Sequence, residues 1–360
     1  MGRTVERCVQ PIRVTGVASL YSVPVRIGRA FRRLGLPLLR LAAAVTVLWF
    51  LWRHVGAAPF KDGLRAVTWP AVVAAVTITA LTTVCSAWRW RVAAQALGIG
   101  IGLPAAVGSY YRSLFLNSVL IGGVVGDVHR AVTHGRRSGD VVLGLRAVAW
   151  ERLWGQVIQA VVTAVVLLAL SSPVRPALPY VLAGIAGVAC AVGCAALIAR
   201  HTDCLHRSRL TRAARAVADD LRHGMLNPHV WPQLALASAL VVAGHTATFV
   251  IAARVAGSTA PLGELLALLM VVQAAMVIPV SVGGWGLREG VAAWAFAAAG
   301  FGAATGVTIA TLYAVLMLAA VTPGAGLLLR DTVRRRRHKA QAREPRQPDP
   351  APRAFEVVSD

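Results

Sequence analysis

The feature that most constrains this chain is the alternation of long uncharged apolar runs with short arginine-rich stretches. Residues 290–329 form 40 consecutive positions without an Asp, Glu, Lys or Arg, about twice the ~20 residues that one membrane-crossing helix needs. Further runs lie at 36–52, interrupted only by Arg40, and at 72–87, 153–170, 177–199, 230–253 and 265–287. With 57% hydrophobic and only 14% charged residues, a chain patterned in this way is neither an ordinary soluble enzyme nor a secreted scaffold. Its 37 Lys+Arg against 15 Asp+Glu give a formal charge of +22, a balance that in a soluble protein points to nucleic acid. Here the cations sit between the apolar runs, which is the positive-inside pattern of a polytopic membrane protein, and no nucleic-acid partner is expected.

The same distribution sets an expected topology. Residues 1–35 are a basic cytoplasmic arm whose arginines, from Arg3 to Arg33, flank no apolar core of a cleavable signal. Residues 36–330 are the transmembrane domain, and 331–360 a disordered basic cytoplasmic tail opening on Arg334, Arg335, Arg336 and Arg337. The fold class is all-α: a multi-pass protein of the cell membrane in two loosely repeated halves, with both termini cytoplasmic. About eight spans are expected, or six if the last glycine-rich region also re-enters. The stretch 103–126 carries Arg112 and Asn117 and has basic flanks on both sides, so it reads as a re-entrant or broken hairpin. Residues 54–69 read as a short outside loop, and Gly300-Phe301-Gly302 as the break within the longest run. Of the five cysteines, Cys85, Cys190 and Cys194 lie in apolar runs and behave as small hydrophobes, so no disulfide framework follows.

Two places interrupt the apolar pattern in the same way. Gly122-Gly123 leads to Gly126, Asp127 and Arg130, and Gly283-Gly284 leads to Gly286, Arg288 and Glu289. Glycine admits positive φ and lets backbone approach a ligand, and paired glycine-interrupted segments in two halves are the sequence pointer to a transport site. The competing reading is that these glycines only permit close helix packing. Ionisable groups at membrane depth are costly and are either paired or functional; here they are Arg112, Asp127, Arg130, Glu151, Arg152, Arg288 and Glu289. Pairing Asp127 with Arg288, or Glu289 with Arg130 or Arg112, would join the halves, as a structural salt bridge or as a polar path for a phosphate that an arginine fork matches well. His201, Cys204 and His206 have metal-like composition but no strong zinc spacing, and neither a metal nor a cofactor is expected. His245, alone in mid-span, is a hydrogen-bonded interior histidine or a lipid contact.

Several motifs carry a resemblance: Arg89-Trp90-Arg91 with Ala96-Leu97-Gly98, Leu114 through Asn117 and Gly122-Gly123 to Asp127 and Arg130, Glu151-Arg152-Leu153, and Pro279 through Gly283-Gly284 to Arg288-Glu289-Gly290. In this order and spacing, over approximately residues 35 to 330, the chain resembles the lysylphosphatidylglycerol synthase transmembrane, or flippase-like, family. The resemblance implies a relative of the part of the multiple peptide resistance factor that moves aminoacylated phospholipid between leaflets. It makes Asp127, Arg288 and Glu289 the expected functional positions. The chain departs from the family pattern where Ile121 and Val125 stand in place of a usual proline and glycine. No soluble aminoacyl-transferase domain is expected after residue 330, so synthesis of the lipid is not. The expected function is movement of a phospholipid or polyprenyl-phosphate-linked lipid, with anionic or phosphate headgroups as partners and no catalytic residues assigned. The alternatives are a glycosyl- or aminoacyl-transferase acting on a lipid carrier, or a scaffold that binds a second copy or an envelope-biosynthesis partner.

Overall fold

The computed structural model describes residues 41–341 apart from 121–122, 171, 277–284 and most of 185–214. The expected span at 177–199 and the loop at 200–229 are described only in part, and His201, Cys204 and His206 with the glycines Gly122, Gly283 and Gly284 lie outside the described residues. The described elements are helical, in the order α1 (Leu41–Val55), α2 (Ala58–Arg65), α3 (Trp69–Ala96), α4 (Leu103–Val119), α5 (Val125–Arg137), α6 (Val141–Ala169), α7 (Trp231–Val255), α8 (Leu262–Ala275), α9 (Leu287–Ala298), α10 (Ala303–Ala320) and α11 (Pro323–Gln341).

Four helices are long and apolar enough to cross a bilayer: α3, α6, α7, and a continuous stretch Ala303–Arg334 that joins α10 to the start of α11. The bent pair α1–α2, which turns through 99°, makes a fifth if counted as one span. The chain is thus an all-α, multi-pass membrane protein. Fewer crossings are described than the eight expected, partly because the run at 265–287 is not one long helix. Its α8 has 14 residues, about 21 Å at 1.5 Å per residue, against a hydrocarbon core of ~30 Å. Residues 54–69, expected as a loop, contain the amphipathic helix α2, whose Gly63 packs against Thr308 and Leu312 of α10. The expected tail begins as helix, since α11 continues to Gln341.

The repeat of the two halves is visible helix by helix. Each half runs long, short, break, short, long: α3, α4, α5, α6, then α7, α8, α9, α10. Each first helix ends on the same chemistry. The N–H of Ile99 reaches back to the carbonyl of Ala94 and that of Gly98 to Gln95, while Ser258 reaches Ala253 and Gly257 reaches Arg254. Gly98 and Gly257 have φ of 83° and 82°, the left-handed stop that glycine makes without a Cβ penalty. The breaks also correspond: Gly123 (φ 60°) precedes α5 and Gly286 (φ 89°) opens α9. Either way, a carboxylate, Asp127 or Glu289, is the third residue of the short helix that follows.

The equivalent helices α3 and α7 pack antiparallel. Arg89 meets Ser238 near one end of the contact and Thr82 meets Gly244 in the middle. Ala71 and Ala75 join Phe249, Ala252 and Ala253 in one buried cluster towards the other end. That cluster, with Leu268, Leu269, Phe296 and Leu312, seals the interior of the second half.

Small residues set the helix spacings, as is usual in membranes, where dispersion rather than water exclusion holds helices together. A Cβ on Gly306 would stand 2.3 Å from the Ala292 carbonyl oxygen, and one on Gly324 would stand 2.2 Å from that of Tyr111. Gly306→Ala should therefore push α9 off α10 and lower the thermal midpoint of the detergent-solubilised protein by an amount equivalent to about 1–3 kcal/mol. Gly108→Ala, at a position with nothing within 4 Å of the new methyl, should cost nothing in the same unfolding assay.

Candidate functional site

The site is built around Glu151, in the middle of α6, which has no solvent exposure. α6 starts where Asp140 accepts hydrogen bonds from the Val142 and Leu143 amides, and it places Glu151 three turns further in. There one carboxylate oxygen accepts from Arg89 Nε at 2.9 Å, from Arg89 Nη2 and from the Tyr110 hydroxyl at 3.1 Å. The other oxygen accepts from Arg130 Nη2 at 2.5 Å. Helices α3, α4 and α5 are thus tied to α6 through a single carboxylate.

Asp127 forms the second node. It accepts from Ser113 Oγ at 3.0 Å, Asn117 Nδ2 at 3.1 Å and Arg130 Nε at 3.0 Å, and it is also paired with Arg152 Nη2. Asn117 in turn accepts from the Gly126 amide at 2.7 Å, one of the amides left free at the start of α5. The hairpin is close because Gly126 has no side chain: a Cβ there would lie 2.1 Å from the Ser113 carbonyl oxygen. Here the glycine is doing the packing job as well as marking the break.

Three guanidiniums face two carboxylates, so the cluster carries one positive charge in excess. Arg130 sits between the rings of Tyr110 and Trp90, with its Cζ 4.4 and 4.8 Å from their centroids, a favourable cation–π setting. Its Nη1 is buried without a hydrogen-bond partner among the described residues, as is Nε of Arg152. His134 stands edge-on to Trp90.

Beside this cluster lies a cavity of about 820 Å³, within the range of ligand sites. Arg89, Asn117, Asp127 and Arg152 line its charged end, with Gly123 at the break between α4 and α5. Gln156 and Gln159 of α6, His245 of α7, Gln273 of α8 and Tyr313 of α10 line the remainder. Arg152 keeps 42% of its side chain exposed, whereas Arg130 and Glu151 keep none. Of the two guanidiniums that border the cavity, Arg152 is the open one and Arg89 is nearly buried, while Arg130 stays inside the cluster as its anchor.

The second glycine motif is arranged differently. Glu289 accepts from the Gly286 amide at 2.6 Å, closing the start of its own helix, and from Arg288 Nη2 at 2.6 Å. Arg288 lies over the rings of Trp285 and Tyr313, at 5.4 and 5.6 Å. The expected pairings across the halves are thus replaced: Arg288 and Glu289 satisfy each other, Arg130 pairs with Asp127 and Glu151, and Arg112 pairs with Asp331 of α11 at 3.0 Å. Adjacent residues at a helix start reach one another at little entropic cost, which leaves nothing for a distant partner. Neither Arg112, Arg288 nor Glu289 lines the cavity; among the described residues Tyr313 connects the second motif to it.

Sequence reasoning did not assign Arg89, Ser238 or the three glutamines to the site. Arg89 reads as a cation closing a span at Ala87, but α3 continues to Ala96 and buries it. The glutamines offered a signal of their own, being the polar side chains within otherwise apolar helices. Truncating Glu151 to Ala leaves two arginines without their shared anion, and should destabilise the detergent-solubilised protein by about 3–5 kcal/mol. Asp140→Ala, which removes only the exposed cap of the same helix, should cost about 1 kcal/mol by the same measurement.

The sequence model describing the lysylphosphatidylglycerol synthase TM region matches residues 38–324. No curated protein and no solved structure matches the chain. The family match takes in the described helices from α1 to the start of α11, together with the charged cluster and the cavity. The chain therefore belongs to the lysylphosphatidylglycerol synthase transmembrane family.

Proposed function

We propose that this protein carries the phosphate-bearing headgroup of a membrane lipid through the cavity while the acyl or prenyl tails stay in the bilayer. One observation supports this most: a cluster with one excess positive charge presents a half-open guanidinium, Arg152, to a roomy cavity. A phosphate monoanion or diester meets there the charge and the forked N–H donors it binds best. A transferase reading ranks lower, because Asp127, the acidic residue on the cavity wall, is held between two arginines and has no free lone-pair direction aimed at a proton.

The cations support an orientation with both termini cytoplasmic in the cell membrane: Arg91, in the C-terminal part of α3, and the arginines at the end of α11 are the groups that the positive-inside rule assigns to the cytoplasmic side. With α3 and α7 antiparallel, the α4–α5 hairpin then re-enters from the cytoplasmic face and the α8–α9 hairpin from the opposite one. That is the inverted repeat typical of carriers whose site lies near mid-membrane.

The test is transbilayer movement of fluorescent phosphatidylglycerol in proteoliposomes. Arg152→Gln should slow movement by about tenfold or more, and Arg112→Gln, which breaks only a partly exposed pair away from the cavity, should leave it unchanged. Equal rates for wild type and a correctly folded Arg152→Gln would overturn the proposal.

A further inference from the structure

Resting on the lipid-carrier reading above, we propose a narrower substrate class: the headgroup is a phosphate carrying a hydroxyl-rich, uncharged group such as a sugar or polyol, and not an aminoacyl or other cationic group. The argument concerns what the cavity offers beyond its phosphate end.

A cationic headgroup needs an anion to replace the water it loses. Among the described residues this cavity has none to give. Glu151 is fully enclosed by Arg89, Arg130 and Tyr110. Asp127 already serves two arginines, Ser113 and Asn117. The segment 277–284, which follows the cavity-lining Met276, contains no acidic residue in its sequence, nor do residues 121–122. An ammonium entering would instead meet the field of a cluster that is already positive.

What the cavity does offer is neutral hydrogen bonding. Gln273 is 8% exposed and donates its amide to Thr246 Oγ1 at 3.0 Å. Gln159 donates to Thr163 Oγ1 at 3.2 Å. In both, the carbonyl oxygen accepts no hydrogen bond from a described residue, although both side chains line the cavity. Gln156 lies nearly one helical turn before Gln159 on α6 and lines the same wall. Across from them, His245 Nδ1 and the Tyr313 hydroxyl share a bond at 3.1 Å, which leaves the other ring nitrogen of His245 for a ligand. Amide carbonyls with unmet capacity in a half-enclosed site are costly unless hydroxyls or water meet them, and a polyol presents hydroxyls in several directions at once.

Proteoliposomes carrying the full chain and fluorescent phosphatidylinositol, phosphatidate or lysylphosphatidylglycerol separate the outcomes. We expect phosphatidylinositol to move faster than phosphatidate, and lysylphosphatidylglycerol to move at least about tenfold more slowly than phosphatidylinositol. Gln273→Glu, which supplies the missing anion, should shift the ratio of lysylphosphatidylglycerol to phosphatidylinositol movement towards the cationic lipid by about tenfold. Should that variant fail to fold, Gln159→Glu makes the same test from the neighbouring helix. Lysylphosphatidylglycerol moving as fast as phosphatidylinositol in the wild type, or a folded glutamate variant with an unshifted ratio, would overturn the substrate class while leaving the carrier reading intact. No movement of any of the three lipids would overturn the carrier reading and the substrate class together.

Discussion

The arrangement of the first half depends on one fully buried carboxylate. Glu151 is enclosed by helices α3, α4, α5 and α6, and its two oxygens take bonds from two arginines and a tyrosine that arrive from the other three. In an apolar surrounding such a group is tolerable only when every lone pair is used, so the four helices must meet in one geometry or the charge is stranded. Among the described residues the repeated half has no buried carboxylate tying its helices together in this way. Its interior holds Phe249, Leu268, Phe296 and Leu312, and its own charged pair, Arg288 with Glu289, is gathered at a helix start. The two halves share a backbone plan and divide the labour: one holds the charged cluster, the other supplies a packed apolar core and the neutral polar groups His245, Gln273 and Tyr313 of the cavity wall.

Glycine plays two separate parts in this plan. Gly123 and Gly286 turn the chain with positive φ where a short helix must begin. Gly126, Gly306 and Gly324 are helical and let backbones touch. The glycine clusters invite a single explanation when read along the sequence, and three-dimensional neighbours are needed to separate a hinge from a contact point.

Much of the architecture was legible in advance. The uncharged runs gave the membrane class, the break at Gly300-Phe301-Gly302 falls between α9 and α10, and the doubled glycine-acid motif marked the repeat. What could not be read was pairing. Charge complementarity alone allows Asp127 to meet Arg288, whereas sequence adjacency within one helix turn makes the Arg288–Glu289 pair far cheaper. Arg89 was hidden by another ambiguity: a Trp-Arg-Trp-Arg sequence looks like the end of a span, and only the length of α3 shows that the helix carries on past it. The glutamines were passed over because an uncharged residue does not interrupt a hydropathy run, although at membrane depth an amide needs a partner nearly as much as a charge does.

The contact between α4 and α11 has a mechanical corollary. The glycine seat at Gly324 beneath Tyr111 and the ion pair from Arg112 to Asp331 fasten the first half of the last helix to the helix that also bears Ser113 and Asn117, two of the ligands of Asp127. A tug on the arginine-bearing end of α11 is therefore a tug on the wall of the chamber, transmitted along a rigid rod and not through a loose tether.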